Sequence, residues 1–267
     1  MSFTKRLDEA RKAFAERDLS ASQRAHSPET IARAMEHHGG TSHQYIGDTV
    51  YGGLDGVVTT FAVVSGVAGA SLGSGVILIL GLANLLADGL SMATGAYLSL
   101  KSEREYYQRE RERELWEVEH FPDGEHAELL EIYKAKGYSA QDAEALVQIV
   151  SKDRNLWVDE MMIQELGLLP DDRQPIYSAL ATLGAFVIAG SVPLIIYFLG
   201  LLVPIDRTAS FLVALALSGT ALFGLGVAKV LVTERNWFRS GWEMLIVGGL
   251  TASVAYAIGY LLQGLGL

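Results

Sequence analysis

The chain has 267 residues, half of them hydrophobic, and a formal charge of −10. Its mean hydropathy is +0.24 although 19% of its residues are charged, so polar and apolar residues must be segregated along it. The acidic balance argues against nucleic acid as a partner and suits a cation-collecting surface; the absence of cysteine excludes disulfides and thiolate metal sites.

Residues 1–44 read as a polar cytoplasmic arm, amphipathic or loosely ordered, with no apolar leader in the first forty residues. Ser27-Pro28-Glu29 has the form of a helix start with proline at its first position. Glu36, His37, His38 and His43 are potential metal ligands, but beside Gly39-Gly40 they read first as solvated side chains.

Residues 45–100 and 176–267 are apolar, and crossing about 30 Å of hydrocarbon takes roughly 20 such residues per helix. Five spans are expected, near 48–71, 75–100, 177–203, 208–231 and 242–266, separated by Ser71-Leu72-Gly73-Ser74-Gly75, Pro204-Ile205-Asp206 and Glu234-Arg235-Asn236. Gly52 with Gly56, and Gly69 with Gly73, are small-xxx-small pairs that permit close helix packing. Gly184, Gly190 and Pro193 allow the third span to bend.

Between the second and third spans lies a charge-dense block, residues 101–175. From Ser99 to Glu119 there is neither glycine nor proline, which predicts that the second span continues as one helix beyond the membrane. Phe121-Pro122-Asp123-Gly124 ends it; Asp123 then caps a short helix reaching Gly137. Ser139 and Asp142 form a capping-box pattern that opens a long helix reaching Gly167. The expected architecture is thus all-α: a polytopic membrane protein with five transmembrane helices and a three-helix cytoplasmic metal-binding insertion. A block of this size is marginal for a self-sufficient core, so dimerisation or bound metal is expected to support it.

Orientation follows from the cations. The arm holds seven Lys and Arg residues, the block holds ten, and Lys229, Arg235 and Arg239 flank the fourth connection, which leaves only Arg207 for the other side. The positive-inside rule puts arm and block in the cytoplasm and the C-terminus outside.

In the block, Glu110, Glu114 and Glu117 recur at i, i+4 and i+7 and project from one helix face. Arg109, Arg111 and Arg113 interleave with them, so an ion-paired, solvated helix is one reading. The next helix repeats the carboxylate spacing with Glu125 and Glu128, and the third offers Met161, Met162 and Glu165, where the methionines are also ordinary core candidates. Oxygen donors with a thioether lean toward Fe²⁺ or Mn²⁺. His126 falls on another face and is left out. Within the spans, ionisable residues are costly and mark pathways by default. Asp55 lies two turns into the first span with Asp48 on the same face, and Asn84, Asp88 and Met92 form a stripe down the second. For Asp48 an interfacial position is the plain alternative.

Leu54-Asp55-Gly56-Val57-Val58-Thr59-Thr60, then Ala87-Asp88-Gly89-Leu90-Ser91-Met92-Ala93, then a charged insertion and Ser191-Val192-Pro193-Leu194, resemble the vacuolar iron transporter family over about residues 45–267. The resemblance implies a five-span homodimer that moves Fe²⁺ out of the cytosol in exchange for protons, along a path near the dimer interface lined by Asp55 and Met92. It also implies metal collection by Glu114, Glu117, Glu125, Glu128, Met161, Met162 and Glu165. Many members carry a glutamate where this chain has Ala96, a polar step missing from the mouth of the path. The short arm suits a bacterial inner membrane, where the same orientation means efflux. The alternative is a membrane-anchored Fe²⁺ buffer or sensor without transport. A di-iron oxidase is disfavoured, because two well-placed Glu-x-x-His pairs are lacking.

Overall fold

A computed structural model describes residues 5–30, 45–233 and 236–264, and all regular structure in them is helical. The helices are α1 (Lys5–Glu16), α2 (Leu19–Ala25), α3 (Ile46–Gly69), α4 (Ser74–His120), α5 (Pro122–Ala135), α6 (Ala140–Val150), α7 (Arg154–Gln164), α8 (Pro175–Gly190), α9 (Ile195–Leu199), α10 (Arg207–Thr233) and α11 (Trp237–Gln263). Among the described residues, five helical stretches are long and apolar enough to cross a membrane: α3, α4, α8 through α9, α10 and α11. The chain divides into two compact units, residues 97–175 and the remainder.

In the membrane unit α3 is the central helix, packing against α10 and α11. It buries Val57, Phe61, Val64 and Val67 at helical spacing. Glycine allows the closest approaches. A Cβ on Gly52 would collide with the backbone of Thr182, and one on Gly56 with the backbone of Phe186, both on α8. At the other end of α3, a Cβ on Gly69 would collide with the backbone of Tyr256, and one on Gly259 of α11 with the backbone of Gly66. Gly73 departs from the expectation: α3 has already ended, and nothing lies within 4 Å of a Cβ built there. Gly56→Val is therefore expected to cost about 1–3 kcal/mol, the usual range for overpacking, whereas Gly73→Ala leaves the thermal midpoint of the detergent-purified protein unchanged. Equal midpoints for the two variants would contradict this packing.

The third span is interrupted at Gly190 and Pro193, while Gly184 lies inside α8. After Gly190 the chain makes a 3-10 turn, Val192–Leu194, before α9 resumes. Outward faces carry large apolar side chains, such as Ile79, Leu82, Leu86 and Leu90 on α4, which a bilayer would cover. In the arm, α1 and α2 pack together and Asp18 caps α2 by accepting from the N–H groups of Ser20 and Ala21 at 2.9 and 3.0 Å. Ser27 accepts from the Thr30 N–H at 3.4 Å, the expected helix start. Glu36, His37, His38 and His43 lie outside the described residues.

In the other unit, α4 runs unbroken to His120, as the uninterrupted sequence requires. Its 47 residues correspond to about 70 Å at 1.5 Å per residue, more than twice the hydrocarbon thickness. Left-handed glycines follow α5 at Gly137 (φ 99°) and α7 at Gly167 (φ 66°). The long helix expected between Ser139 and Gly167 is instead two helices, so the insertion holds four helical segments rather than three. Asp153 breaks it: extended at φ −117°, ψ 118°, it accepts from the N–H groups of Asn155 and Leu156 at 2.9 and 3.1 Å and starts α7 anew. A short acidic side chain that can bond nearby backbone competes with helix continuation. The core of this unit is Val118, Leu129, Tyr133, Ala143, Val147, Trp157, Val158, Met161 and Met162.

Candidate metal sites

Three helices of the insertion converge on a carboxylate cluster. Glu114 of α4, Glu125 of α5 and Glu165 at the end of α7 each place an oxygen within 4.8 Å of the others. Glu114 is fully buried and Glu125 is 6% exposed. One oxygen of each, Oε2, is buried without a hydrogen-bond partner. Unpartnered buried acceptors are costly unless a cation or proton satisfies them. Burial first, then the charges of Glu165, Glu117 and Glu128, push Glu114 up to about 7 against the opposing pull of Arg113. Burial likewise pushes Glu125 up to about 7, helped by Glu114, Glu128, Glu117 and Glu165. Glu165, more exposed, is also raised, by partial burial, Glu128 and Glu117, with Arg113 opposing. Carboxylates held this close to neutrality are poised to trade protons for a divalent ion.

Other sequence candidates separate into distinct positions. Glu128 is exposed but contributes its charge to all three cluster members. Glu110 is turned to arginine instead, accepting from Arg109 at 2.9 Å and from Arg113 at 3.0 Å, which hold it below the ordinary carboxylate range. Glu117 accepts from Arg113 as well. Met161 and Met162 are fully buried in the core of the unit, the packing position that their sequence also allowed. His126 faces Glu144 at 3.5 Å.

Arg113 is the residue that spacing alone did not single out. Its guanidinium meets Glu110, Glu114 and Glu117 together. Its position three residues after Glu110 and four before Glu117 is the signal that could have identified it. The ion-paired helix and the carboxylate cluster are thus both present on α4, and Arg113 joins them.

Within the membrane unit, Asp55 and Asp88 are half-buried and interact electrostatically across α3 and α4. Asn84, Asp88, Met92 and Ala96 fall at successive i+4 positions of α4 and are all half-buried, at the edge of its packed face. The Asn84 amide nitrogen is buried without a partner. Ala96 thus continues the polar stripe without adding a donor to it. Asp48 is a tie between helices, accepting from the Ser178 hydroxyl of α8 at 2.7 Å.

Residues 46–260 match the VIT family. A protein of Toxoplasma gondii named vacuolar iron transporter is 40% identical over 268 residues, covering 96% of this chain and 88% of its own. One of the same name from Plasmodium falciparum is 32% identical over 273 residues, covering 97% of each chain. Vacuolar iron transporter 1 of Arabidopsis thaliana is 32% identical over 224 residues, covering 84% of this chain and 88% of its own. These three relatives are eukaryotic and lend nothing to the bacterial membrane expected from the short arm. With the match spanning five membrane-crossing helices and the insertion between them, the chain belongs to the VIT family.

Proposed function

We propose that this protein exports Fe²⁺ from the cytosol in exchange for protons. The observation that carries the reading is the half-buried pair Asp55 and Asp88 inside membrane helices of a chain whose relatives are named iron transporters. A passive anchor has no use for intramembrane acids, which cost a few kcal/mol each to bury in a bilayer. Glu114, Glu125 and Glu165, with the charge of Glu117 and Glu128 around them, capture Fe²⁺ on the cytoplasmic side and raise its concentration at the mouth of the path. Asp55 and Met92 hold the ion within the membrane, and protonation of Asp55 from the far side releases it. Asp88 and Asn84 shape the same stripe. In this orientation the arm and insertion are cytoplasmic and the C-terminus is outside.

A homodimer completes the path. Ala83, Ala87, Ser91 and Gly95 recur every four residues on α4, all exposed, beside Asn84, Asp88 and Met92. Small side chains let membrane helices approach closely, and a second copy on this stripe encloses acids that one copy leaves half-covered. Light scattering of the purified protein is expected to give the mass of two chains; a monomer carrying full transport activity would refute the dimeric path.

The test of transport is Fe²⁺ flux into proteoliposomes containing a pH reporter, with and without an imposed proton gradient. Export coupled to protons appears as metal entry accompanied by internal alkalinisation, accelerated when the interior is acidic. Tight Fe²⁺ binding without flux would instead identify the anchored buffer or sensor.

A further inference from the structure

Away from both acidic sites, the membrane unit holds a cavity of about 340 Å³ at the ends of α3, α4, α9, α10 and α11. Ser71, Ser74, Tyr197, Arg207, Thr208 and Tyr256 supply its polar lining, and no carboxylate lines it. Its chemistry is therefore the reverse of a metal site. Arg207 is the one basic residue in the segments expected on the outer side of the membrane. It forms no ion pair with any described residue, and its polar contact is a long one, a 3.5 Å donation to the Ser71 carbonyl. The adjacent Asp206 is committed elsewhere, accepting from the N–H groups of Thr208 and Ala209 at 2.9 and 3.2 Å.

Two further features single out this cavity. Tyr197 is 3% exposed, and its hydroxyl is buried with no hydrogen-bond partner. A phenol in an apolar core normally finds one. Ser71, whose carbonyl faces Arg207, adopts φ 56°, a left-handed conformation that non-glycine residues rarely take. An unneutralised guanidinium and an unsatisfied hydroxyl thus line one cavity, with the hydroxyls of Ser74 and Thr208 beside them. Guanidinium and hydroxyl donors together are the donor set for a phosphate group. The remaining wall, Leu72, Ile77 and Phe211, is apolar.

We propose that this cavity binds a phosphate group, with Arg207 as the charged donor and Tyr197 as the buried neutral one. The apolar wall suits the phosphodiester head of an acidic phospholipid with its glycerol against Leu72 and Phe211; inorganic phosphate presents the same oxygens without the lipid. The site is independent of whether the protein transports metal, because none of its residues belongs to the acidic clusters.

The test uses the full-length protein, stripped of lipid in a neutral detergent. It is titrated separately with short-chain phosphatidylglycerol, with diacylglycerol of the same chains, and with inorganic phosphate, and binding is followed by native mass spectrometry and thermal midpoint. Saturable binding of phosphatidylglycerol that diacylglycerol does not reproduce is expected, weakened about tenfold or more in Arg207→Gln and several-fold in Tyr197→Phe, as for loss of a charged and a neutral hydrogen bond. Tyr197→Phe removes a single oxygen and keeps the test decisive should Arg207→Gln fail to fold. Saturation by phosphatidylglycerol alone assigns the lipid head, and saturation by inorganic phosphate with the same Arg207 dependence assigns the free anion. The proposal is overturned if neither phosphate compound saturates, if diacylglycerol binds equally well, or if folded variants bind like the unmodified protein.

Discussion

Alanine in place of Asp55 is expected to reduce proton-coupled Fe²⁺ flux to the background of protein-free liposomes while the purified protein keeps its thermal midpoint. The two halves of that expectation rest on different observations. The carboxylate of Asp55 makes no hydrogen bond with any described residue; the contact at this residue is the Thr59 hydroxyl donating to its backbone carbonyl at 2.8 Å, which alanine preserves. What the carboxylate meets is the charge of Asp88. Its removal takes away no side-chain hydrogen bond among the described residues, so the fold is expected to keep its stability. On the proposed mechanism, transport loses the group that alternately holds metal and proton. Asp48→Ala is the contrasting case: it breaks the 2.7 Å bond from Ser178 that ties α3 to α8 and is expected to lower the midpoint. Wild-type flux in Asp55→Ala would eliminate the intramembrane carboxylate as the exchanging group, whatever the insertion does.

The contrast between Asp48 and Asp55 also marks how far the sequence can be read. Both are acids at the same helical phase of one apolar run, and nothing in spacing distinguishes a helix tie from an unpartnered charge; the partner, Ser178, is 130 residues away. The spans themselves were legible because apolar runs of this length have few other uses, and Gly52 and Gly56 because close packing needs that spacing. Gly69 and Gly73 have the same spacing, yet Gly73 lies beyond the end of α3, where it permits no approach. In the insertion, carboxylate periodicity located Glu114 and Glu125 but ranked Glu110 beside them; the side-chain geometry of Arg113 and Arg109 divides that row. The break at Asp153 was missed for a related reason. Ser151, Lys152 and Asp153 include no glycine or proline, and the cap that interrupts the helix depends on a backbone conformation that a residue list does not specify.

Metal binding by the cluster of Glu114, Glu125 and Glu165 is expected to weaken by about tenfold to about a hundredfold between pH 7.5 and pH 6, since one or two protons must leave before an ion can enter. The direction follows from Glu114 and Glu125, each raised from 4.5 to about 7 by burial and by the surrounding carboxylates. At pH 7.5 both are largely ionised; at pH 6 both are largely protonated and compete with the metal. The same shifts fix how metal-free stability depends on pH. Because the folded-state values lie above the ordinary 4.5, the folded protein binds more protons than the unfolded chain between about 4.5 and 7. The contribution of these groups is fully present below 4.5 and is lost as pH rises through 7. The metal-free midpoint should therefore fall from pH 5.5 to 7.5, and added Fe²⁺ should raise it most at the higher pH, where unneutralised carboxylates are crowded together. Anaerobic calorimetric titration of the full-length protein at the two pH values measures the first effect and thermal unfolding the second. Replacing Glu114 and Glu125 together with glutamine should flatten both profiles, because the amides keep the volume and lose the titration. Affinity independent of pH in the unmodified protein would mean that metal does not enter through these carboxylates. If the dependence holds, the cluster loads at neutral pH and releases its ion on acidification, so Glu114 and Glu125 exchange metal for protons independently of Asp55.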